Sequence, residues 1–263
     1  MIFLKSVSSS SMPPPDAGFP FNLALFQALK KITFSSPVTF FVGENGSGKS
    51  TLIEAIAAAA GSIAVGSNSV DQDDSLASVR ALSRHLCLAW QLRTHRGFFL
   101  RAEDFFGFAR SMRDMVRSLA DEAQRYEGDD YGSRLARGSI LGQRAALVEK
   151  YGENLDENSH GECFLKLFNQ RFVPDGLYLL DEPEVPLSPL RQLAFLSMLK
   201  TMVQEQNAQF IIATHSPILM AFPGARIYSF DQLPLTIVPY DQLEHVSITR
   251  DFLNNPDQFI RRL

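Results

Sequence analysis

Short apolar runs alternate with longer stretches of helical periodicity along most of the chain. Runs of strand length, rich in β-branched and aromatic residues, predict strands at 1–7, 38–42, 97–100, 177–180, 209–213 and 225–230. Alanine-rich sequence, or apolar residues at helical spacing, predicts helices at 50–60, 75–95, 161–172, 189–205 and 217–222. The stretch 104–150 is helical in pattern but is broken by a polar loop at 128–132. Strands separated by helices predict an α/β fold with a mostly parallel sheet flanked by helices.

Composition adds exclusions rather than a function. The chain has 263 residues, 45% of them hydrophobic and 21% charged, with a net charge of -4, which argues against disorder and indicates no particular charged partner. Two cysteines are too few for a disulfide framework or a structural zinc site, which favours a reducing, cytoplasmic location. No apolar run approaches the roughly 20 residues that cross a bilayer, so we expect no direct membrane insertion.

A glycine-rich loop between a predicted strand and a predicted helix carries the strongest chemical signal. It fits the pattern G-x-x-x-x-G-K-[ST] and consists of Gly43, Glu44, Asn45, Gly46, Ser47, Gly48, Lys49, Ser50 and Thr51. Such a loop turns backbone N–H groups and a helix N-terminus toward phosphate oxygens. Lys49 is expected to reach the β and γ phosphates, and the hydroxyl of Ser50 to bind Mg²⁺. A plain glycine turn is the alternative, and the strand–helix context predicts a P-loop NTPase instead.

Polar side chains follow two of the predicted strands. Asp181 and Glu182 come directly after 177–180, and His215 follows 209–213. A carboxylate at the end of a buried strand is costly unless it is paired or metal-bound, so Asp181 is a candidate Mg²⁺ ligand. Glu182 can orient or deprotonate an attacking water, and His215 can contact a γ-phosphate. A pair of helix-capping acids and a structural histidine are the alternatives.

These motifs together resemble the AAA/ABC type of P-loop ATPase, in its soluble branch related to the structural-maintenance-of-chromosomes and RecF-like ATPases. The similar stretches are VTFFVGENGSGKSTLIEAIA at 38–57, YLLDEPEVPLSP at 178–189 and IIATHSPIL at 211–219. The resemblance implies ATP hydrolysis with Mg²⁺ in a homodimer that sandwiches two ATP molecules, with the turn at 185–188 at the dimer interface. It also implies one ATPase domain over 1–263, with an inserted helical lobe at 104–150.

The resemblance further implies a signature loop, which closes on the nucleotide of the opposite protomer and normally reads Leu-Ser-Gly-Gly-Gln. Ser159, Gly161 and Glu162 match this pattern about 20 residues before the acidic strand end, while His160 replaces its first glycine. Ser-x-x-Glu before an apolar helix is also a capping box. Both interpretations can hold, because a capped helix N-terminus presents N–H groups to phosphate.

Two further family features are less defined here. The glutamine that senses Mg²⁺ and γ-phosphate has no counterpart after the strand at 97–100, so Glu103 is the candidate metal-site residue and Gln91 the second choice. An aromatic ring is expected to stack on adenine, and Phe19, Phe21 and Phe34 are the candidates.

Charge is distributed unevenly along the chain. Residues 80–144 hold 12 arginines, no lysine and 8 acidic residues, which gives +4 and leaves -8 for the remainder. A solvated helical lobe with i,i+4 ion pairs explains this excess, and a surface for nucleic acid or an acidic partner is the alternative. The leading prediction is an ATPase; a P-loop kinase of a small metabolite and an ATP-gated nucleic-acid clamp are the other hypotheses.

Overall fold

The computed structural model describes residues 1–65, 77–126, 128, 130–151 and 160–261. A six-stranded sheet has the order β5-β6-β7-β3-β8-β9, and a three-stranded antiparallel sheet has the order β2-β1-β4. The strands of the larger sheet are β3 (Val38–Val42), β5 (Gly97–Arg101), β6 (Leu177–Asp181), β7 (Gln209–Ala213), β8 (Arg226–Ser229) and β9 (Thr236–Ile237). Those of the smaller sheet are β1 (Leu4–Ser9), β2 (Lys31–Thr33) and β4 (Leu86–Trp90).

Ten α-helices are assigned within the described ranges. They are α1 (Ala24–Ala28), α2 (Lys49–Ala60), α3 (Ala77–Ser83), α4 (Ala102–Gln124), α5 (Tyr131–Tyr151), α6 (His160–Arg171), α7 (Pro189–Glu205), α8 (Pro217–Met220), α9 (Glu244–Asn254) and α10 (Pro256–Ile260). Short 3₁₀ turns lie at Pro15–Ala17 and Tyr240–Gln242.

The predicted α/β fold with a mostly parallel sheet is confirmed. All neighbouring strands from β5 to β8 are parallel, and the edge strand β9 pairs antiparallel with β8. Every residue of β3, β6 and β7 is buried, as expected for strands covered on both faces. Side chains alternate between the faces, so Phe40 packs into one apolar cluster with α6 and α7, while Phe41 packs into another with α2.

The predicted helix at 75–95 is wrong in its second half. The structure has the short helix α3 and then the strand β4, which pairs antiparallel with β1. The run from Leu86 to Trp90 is short, apolar and β-prone, and pairing with β1 overrides the helical spacing.

A buried glutamine ties the two sheets together. The side chain of Gln209 on β7 accepts hydrogen bonds from the N–H groups of Phe3 (2.7 Å) and Leu4 (2.8 Å), and donates to the carbonyl of Leu4 (2.9 Å). Because an unpaired amide is costly inside a core, this contact specifies how the N-terminal strand docks beside the parallel sheet.

The stretch 104–150 forms helices as predicted. It corresponds to α4 and α5, which pack against each other on either side of the loop that includes Gly128 and Asp130. The proposal that 1–263 is a single domain with this segment as an insertion stays a prediction.

Candidate active site

The predicted motifs converge at the carboxyl ends of three neighbouring strands. The phosphate loop follows β3, Asp181 is the last residue of β6, and His215 follows β7 after Thr214. Since β6, β7 and β3 are adjacent and parallel, their carboxyl ends meet at one edge of the sheet. Ligands of open α/β sheets bind at this edge.

The phosphate loop ends where α2 begins. Its last glycine, Gly48, is the N-cap of α2 and has a left-handed backbone with φ of 95°. A Cβ atom there would also lie 2.8 Å from the side chain of Leu25 on α1, so both the backbone conformation and the packing require glycine. The N-terminus of α2 therefore points its free N–H groups into the loop, as phosphate binding requires.

Lys49 is buried, with only 4% of its surface exposed. Its Nζ donates hydrogen bonds to the carbonyls of Gly43 (2.6 Å) and Glu44 (2.9 Å). Burial lowers the pKa of Lys49, against the opposing charges of Glu182 and Asp181. The ammonium is thus held on carbonyls of the loop itself, at the place where phosphate oxygens are expected.

Ser50 and Asp181 meet as the magnesium hypothesis requires. The Ser50 hydroxyl donates a 3.1 Å hydrogen bond to Oδ1 of Asp181. Burial raises the pKa of Asp181 to about 7, and the bond from Ser50 only partly opposes this. A hydroxyl and a costly buried carboxylate, side by side next to a phosphate site, are the donor set that Mg²⁺ takes together with phosphate oxygens. Among the described residues, no three His, Cys, Asp or Glu side chains are arranged to hold a metal by themselves.

Glu182 and His215 face each other beside this pair. Oε1 of Glu182 lies 3.9 Å from Nε2 of His215, and both side chains are partly exposed. Glu182 has a positive φ of 50°, an uncommon value for a side-chain-bearing residue, while its N–H is bonded to the carbonyl of Ala213 (2.9 Å). Burial, and then the charge of Lys49, lowers the pKa of His215, which favours the neutral ring.

Glu184 is a residue that sequence reasoning missed. Its Oε1 accepts the backbone N–H of His215 at 2.7 Å. Burial raises the pKa of Glu184. It is the third carboxylate in the run from Asp181, so its place in that motif was a signal for a role at the site.

The candidate signature residues lie at the start of α6. Ser159 lies outside the described residues. Gly161 is closely packed, because a Cβ atom there would be 2.5 Å from Cδ of Arg191 and 2.9 Å from the carbonyl of Pro186. Glu162 forms a 2.6 Å ion pair with Arg191. The signature segment is thus attached to the start of α7 and to the turn before it.

The two candidates for the Mg²⁺-sensing residue lie in different parts of the structure. Glu103 lies in the first turn of α4 with 76% of its side chain exposed, 3.5 Å from Arg101. Gln91 follows β4 in the smaller sheet. Sequence reasoning missed Arg101, which ends β5 and lies level with Asp181 in the β5–β6 register. Its buried guanidinium contacts Glu54 and Asp104.

The three adenine candidates differ sharply in exposure. Phe21 and Phe34 are buried in the core, whereas 56% of the surface of Phe19 is exposed. Burial of the first two favours Phe19, and the stacking role stays a prediction.

The arginine-rich segment includes the helices α4 and α5. On α4, arginine and aspartate recur four residues apart, as in Arg110 and Asp114, and in Arg117 and Asp121, and all four are exposed. This spacing is typical of a solvated helix face with mixed charge. The hypothesis of a nucleic-acid or acidic partner stays a prediction.

Family comparisons match the two parts of the chain that carry the motifs. Residues 21–83 match a model described as an AAA domain, and residues 170–221 match one described as an AAA domain, putative AbiEii toxin, type IV toxin–antitoxin system. An uncharacterized ABC transporter ATP-binding protein from Haemophilus influenzae is 29% identical over 214 residues, covering 79% of this chain and 75% of the relative. These matches confirm the predicted resemblance to the AAA/ABC type.

Solved structures with a similar chain course are distant in sequence. An Smc head domain from Pyrococcus furiosus has a TM-score of 0.47 and 12% identity, and the match covers 96% of this chain and 100% of that domain. A nucleotide-free ATP-binding cassette from an ABC transporter has a TM-score of 0.47 and 15% identity, and the match covers 97% of this chain and 96% of the cassette. The SMC head domain from Thermotoga maritima has a TM-score of 0.42 and 16% identity, covering 91% and 99%. The fold assignment itself rests on the strand order and on the loop between β3 and α2.

Among the described residues, none of the helices combines the length and the apolar character that crossing a bilayer requires. The cytoplasmic location stays a prediction.

Proposed function

We propose that this chain, whose two motif-bearing segments match AAA-domain models, binds ATP with Mg²⁺ and hydrolyses it to ADP and phosphate. The observation that carries the proposal is the hydrogen bond from Ser50 to Asp181, with Glu182, His215 and Lys49 close to this pair. These five side chains come from three separate parts of the sequence. Their meeting at the carboxyl edge of the sheet supports phosphoryl chemistry at this point.

Phosphate binding begins with the loop and Lys49. The N–H groups of the loop and of the first turn of α2 surround the phosphates, and the partial positive charge of the helix terminus adds to them. Lys49 exchanges its carbonyl partners on Gly43 and Glu44 for phosphate oxygens. Little rearrangement is needed, because the ammonium is already held within the loop.

The hydroxyl of Ser50 and the carboxylate of Asp181 would hold Mg²⁺, which would supply positive charge to neutralise the β and γ phosphates. The carboxylate of Asp181 is costly in the free protein, since burial raises its pKa to about 7. A cation there removes that cost, so binding and ionisation of Asp181 favour each other.

Glu182 orients and activates the attacking water. Its partly exposed carboxylate can accept a proton, and the bond from its N–H to Ala213 fixes its backbone. His215 contacts the γ-phosphate through its ring, while its backbone N–H donates a hydrogen bond to the carboxylate of Glu184. Glu182 thus acts on the water, and His215 on the phosphate beside it.

We further propose that hydrolysis takes place in a homodimer in which two ATP molecules are sandwiched. Gly161 and Glu162 of one protomer would close on the nucleotide of the other. Ser159, which lies outside the described residues, would act with them. Val185, in the turn that packs against this segment, has 55% of its surface exposed, and Leu190 at the start of α7 has 76%. Exposed apolar side chains next to the signature segment support its use as a contact surface.

Substitution of the water-activating residue Glu182 tests both ATP hydrolysis and ATP-dependent dimerisation. The Glu182→Gln protein is expected to bind ATP, hydrolyse it at least about 100-fold more slowly, and dimerise when ATP is added, measured by phosphate release and light scattering. Glu205→Gln, an exposed substitution on α7, is the matched control and is expected to behave as wild type. A Glu182→Gln protein that stays monomeric with ATP and turns over normally contradicts the proposal. Phosphate release that requires an added acceptor would instead indicate the kinase hypothesis.

A further inference from the structure

A buried ion network lies directly beside the proposed Mg²⁺ position. It consists of Arg101 at the end of β5, Glu54 on α2 and Asp104 on α4. The side chains of these residues are 11%, 13% and 12% exposed. Buried charges are costly unless they are paired, and a network of three at this place therefore calls for an explanation beyond simple packing.

The helical spacing places Glu54 on the same face of α2 as Ser50. Residues four apart lie one above the other on a helix, so the carboxylate of Glu54 is one turn beyond the hydroxyl that bonds to Asp181. On the neighbouring strand, Arg101 lies level with Asp181 and contacts Glu54 at 3.3 Å. Glu54 therefore lies next to the pair of Ser50 and Asp181.

Arg101 holds Glu54 from the neighbouring strand. It lies level with Asp181 in the β5–β6 register, and its Nη1 is 3.3 Å from Oε1 of Glu54. On its other side, Nε and Nη2 bind the two oxygens of Asp104 at 2.9 and 3.1 Å. This two-point contact fixes the plane of the guanidinium, and Arg101 can therefore orient Glu54 precisely.

We propose that Glu54 supplies a second carboxylate beside Asp181 that strengthens Mg²⁺ binding, and that Arg101 is the residue that positions it. The proposal rests on the proposed function, and it deepens it by adding to the Mg²⁺ site a residue outside the predicted set. Removing a group that orients a metal site from its outer shell typically weakens metal affinity by about 10-fold to 100-fold. The charge of Glu54 repels ATP alone, so it should help only when Mg²⁺ is present.

The test measures Mg²⁺ dependence rather than turnover. A fluorescent ATP analogue is held at fixed concentration with metal-free protein, and Mg²⁺ is titrated in while anisotropy is recorded. In Glu54→Gln, the Mg²⁺ concentration at half-saturation is expected to rise about 10-fold, while binding of the analogue without Mg²⁺ is not weakened. A half-saturation within about twofold of wild type overturns the proposal, because removing a group that orients a metal site has a larger effect.

A matched control separates this role from general stability. Asp104→Asn removes an equally buried carboxylate from the opposite side of Arg101. It is expected to lower the melting temperature as Glu54→Gln does, with a much smaller change in Mg²⁺ half-saturation. Equal shifts in the two variants overturn the proposal. If Glu54→Gln does not fold, Glu54→Asp, which withdraws the carboxylate by one methylene, must still raise the half-saturation.

A double variant tests the positioning role of Arg101. Arg101→Gln alone should raise the Mg²⁺ half-saturation, and Arg101→Lys should restore part of it. In a Glu54→Gln background, Arg101→Gln should add nothing, because the two residues act through one interaction. An equal further rise there refutes the role of Arg101. A wild-type protein that binds no ATP at any Mg²⁺ concentration overturns the proposed function and this inference with it, whereas normal wild-type binding with unchanged variants overturns the inference alone.

Discussion

Replacing Asp181 by asparagine should stabilise the protein when it is free of ATP and Mg²⁺. Asp181 is 8% exposed, and its carboxylate accepts a hydrogen bond from the hydroxyl of Ser50. Asparagine has nearly the same shape and keeps an oxygen that can accept this bond. The substitution therefore removes the buried charge with little change in packing.

The size of the expected gain in stability follows from the pKa of the Asp181 carboxyl group. Burial raises the pKa of Asp181 from its ordinary value of 3.8 to about 7. That difference corresponds to about 4 kcal/mol of unfavourable free energy for the ionised group in the folded state. Part of this cost disappears if the structure relaxes or water enters, so about 4 kcal/mol is an upper bound on the gain.

The stability gained by Asp181→Asn depends on pH. Between pH 3.8 and about 7 the folded protein binds a proton at Asp181 that the unfolded chain releases. The wild type therefore loses stability as pH rises through this window, and the loss is complete above pH 7. The advantage of Asp181→Asn over wild type should grow by about 3 kcal/mol from pH 5 to pH 8.

Urea unfolding at pH 5 and pH 8 with EDTA present measures this difference. Glu205→Gln is the control, because it removes an exposed carboxylate on α7 that is not part of the site. Its difference in stability from wild type should be the same at both pH values. An advantage of Asp181→Asn that is the same at both pH values, or a variant less stable than wild type at pH 8, would refute the reasoning.

Three further substitutions test packing and positioning. Gly97→Ala should lower the free energy of unfolding by more than about 3 kcal/mol in urea, because Gly97 has φ of 106° and a Cβ atom would overlap the carbonyl of Leu177. Phe168→Ala should cost about 3–5 kcal/mol in the same assay, since its ring packs 4.6 to 4.9 Å from three others; a loss under about 1 kcal/mol would contradict this packing. Glu184→Ala should lower kcat by about 10-fold with little change in KM, because the N–H of His215 loses its acceptor; an unchanged kcat would exclude that role.

The local pattern was sufficient for the elements that are short, apolar and fully buried. The limits predicted for β3 and β7 agree with the structure, because a strand covered on both faces is apolar at every position. The same reasoning failed at 86–90, where helical spacing and strand propensity compete. There the partner strand β1, more than 75 residues away in sequence, decides the outcome.

The sequence could not predict which side chains join the site through contacts between distant parts of the chain. The predicted strand ended at residue 100, just before Arg101, and Glu54 lay within the predicted helix at 50–60 with no role assigned to it. Their importance follows from the β5–β6 register and from a contact across 47 residues, which no local pattern records. Glu103, the candidate after the strand, lies in the first turn of α4 with its side chain exposed, and its role in metal binding stays a prediction.

The sequence by itself determined the parts whose chemistry is local. A phosphate loop needs glycines, a lysine and a hydroxyl within nine consecutive residues, and Gly43 to Thr51 provide all of them. The tertiary structure alone decided which distant residues share that site. Parallel register places Asp181 and Arg101 level with each other, and the order of strands brings His215 beside Glu182. The physical reason is that backbone pairing between strands, rather than spacing along the chain, sets the distance between these charges.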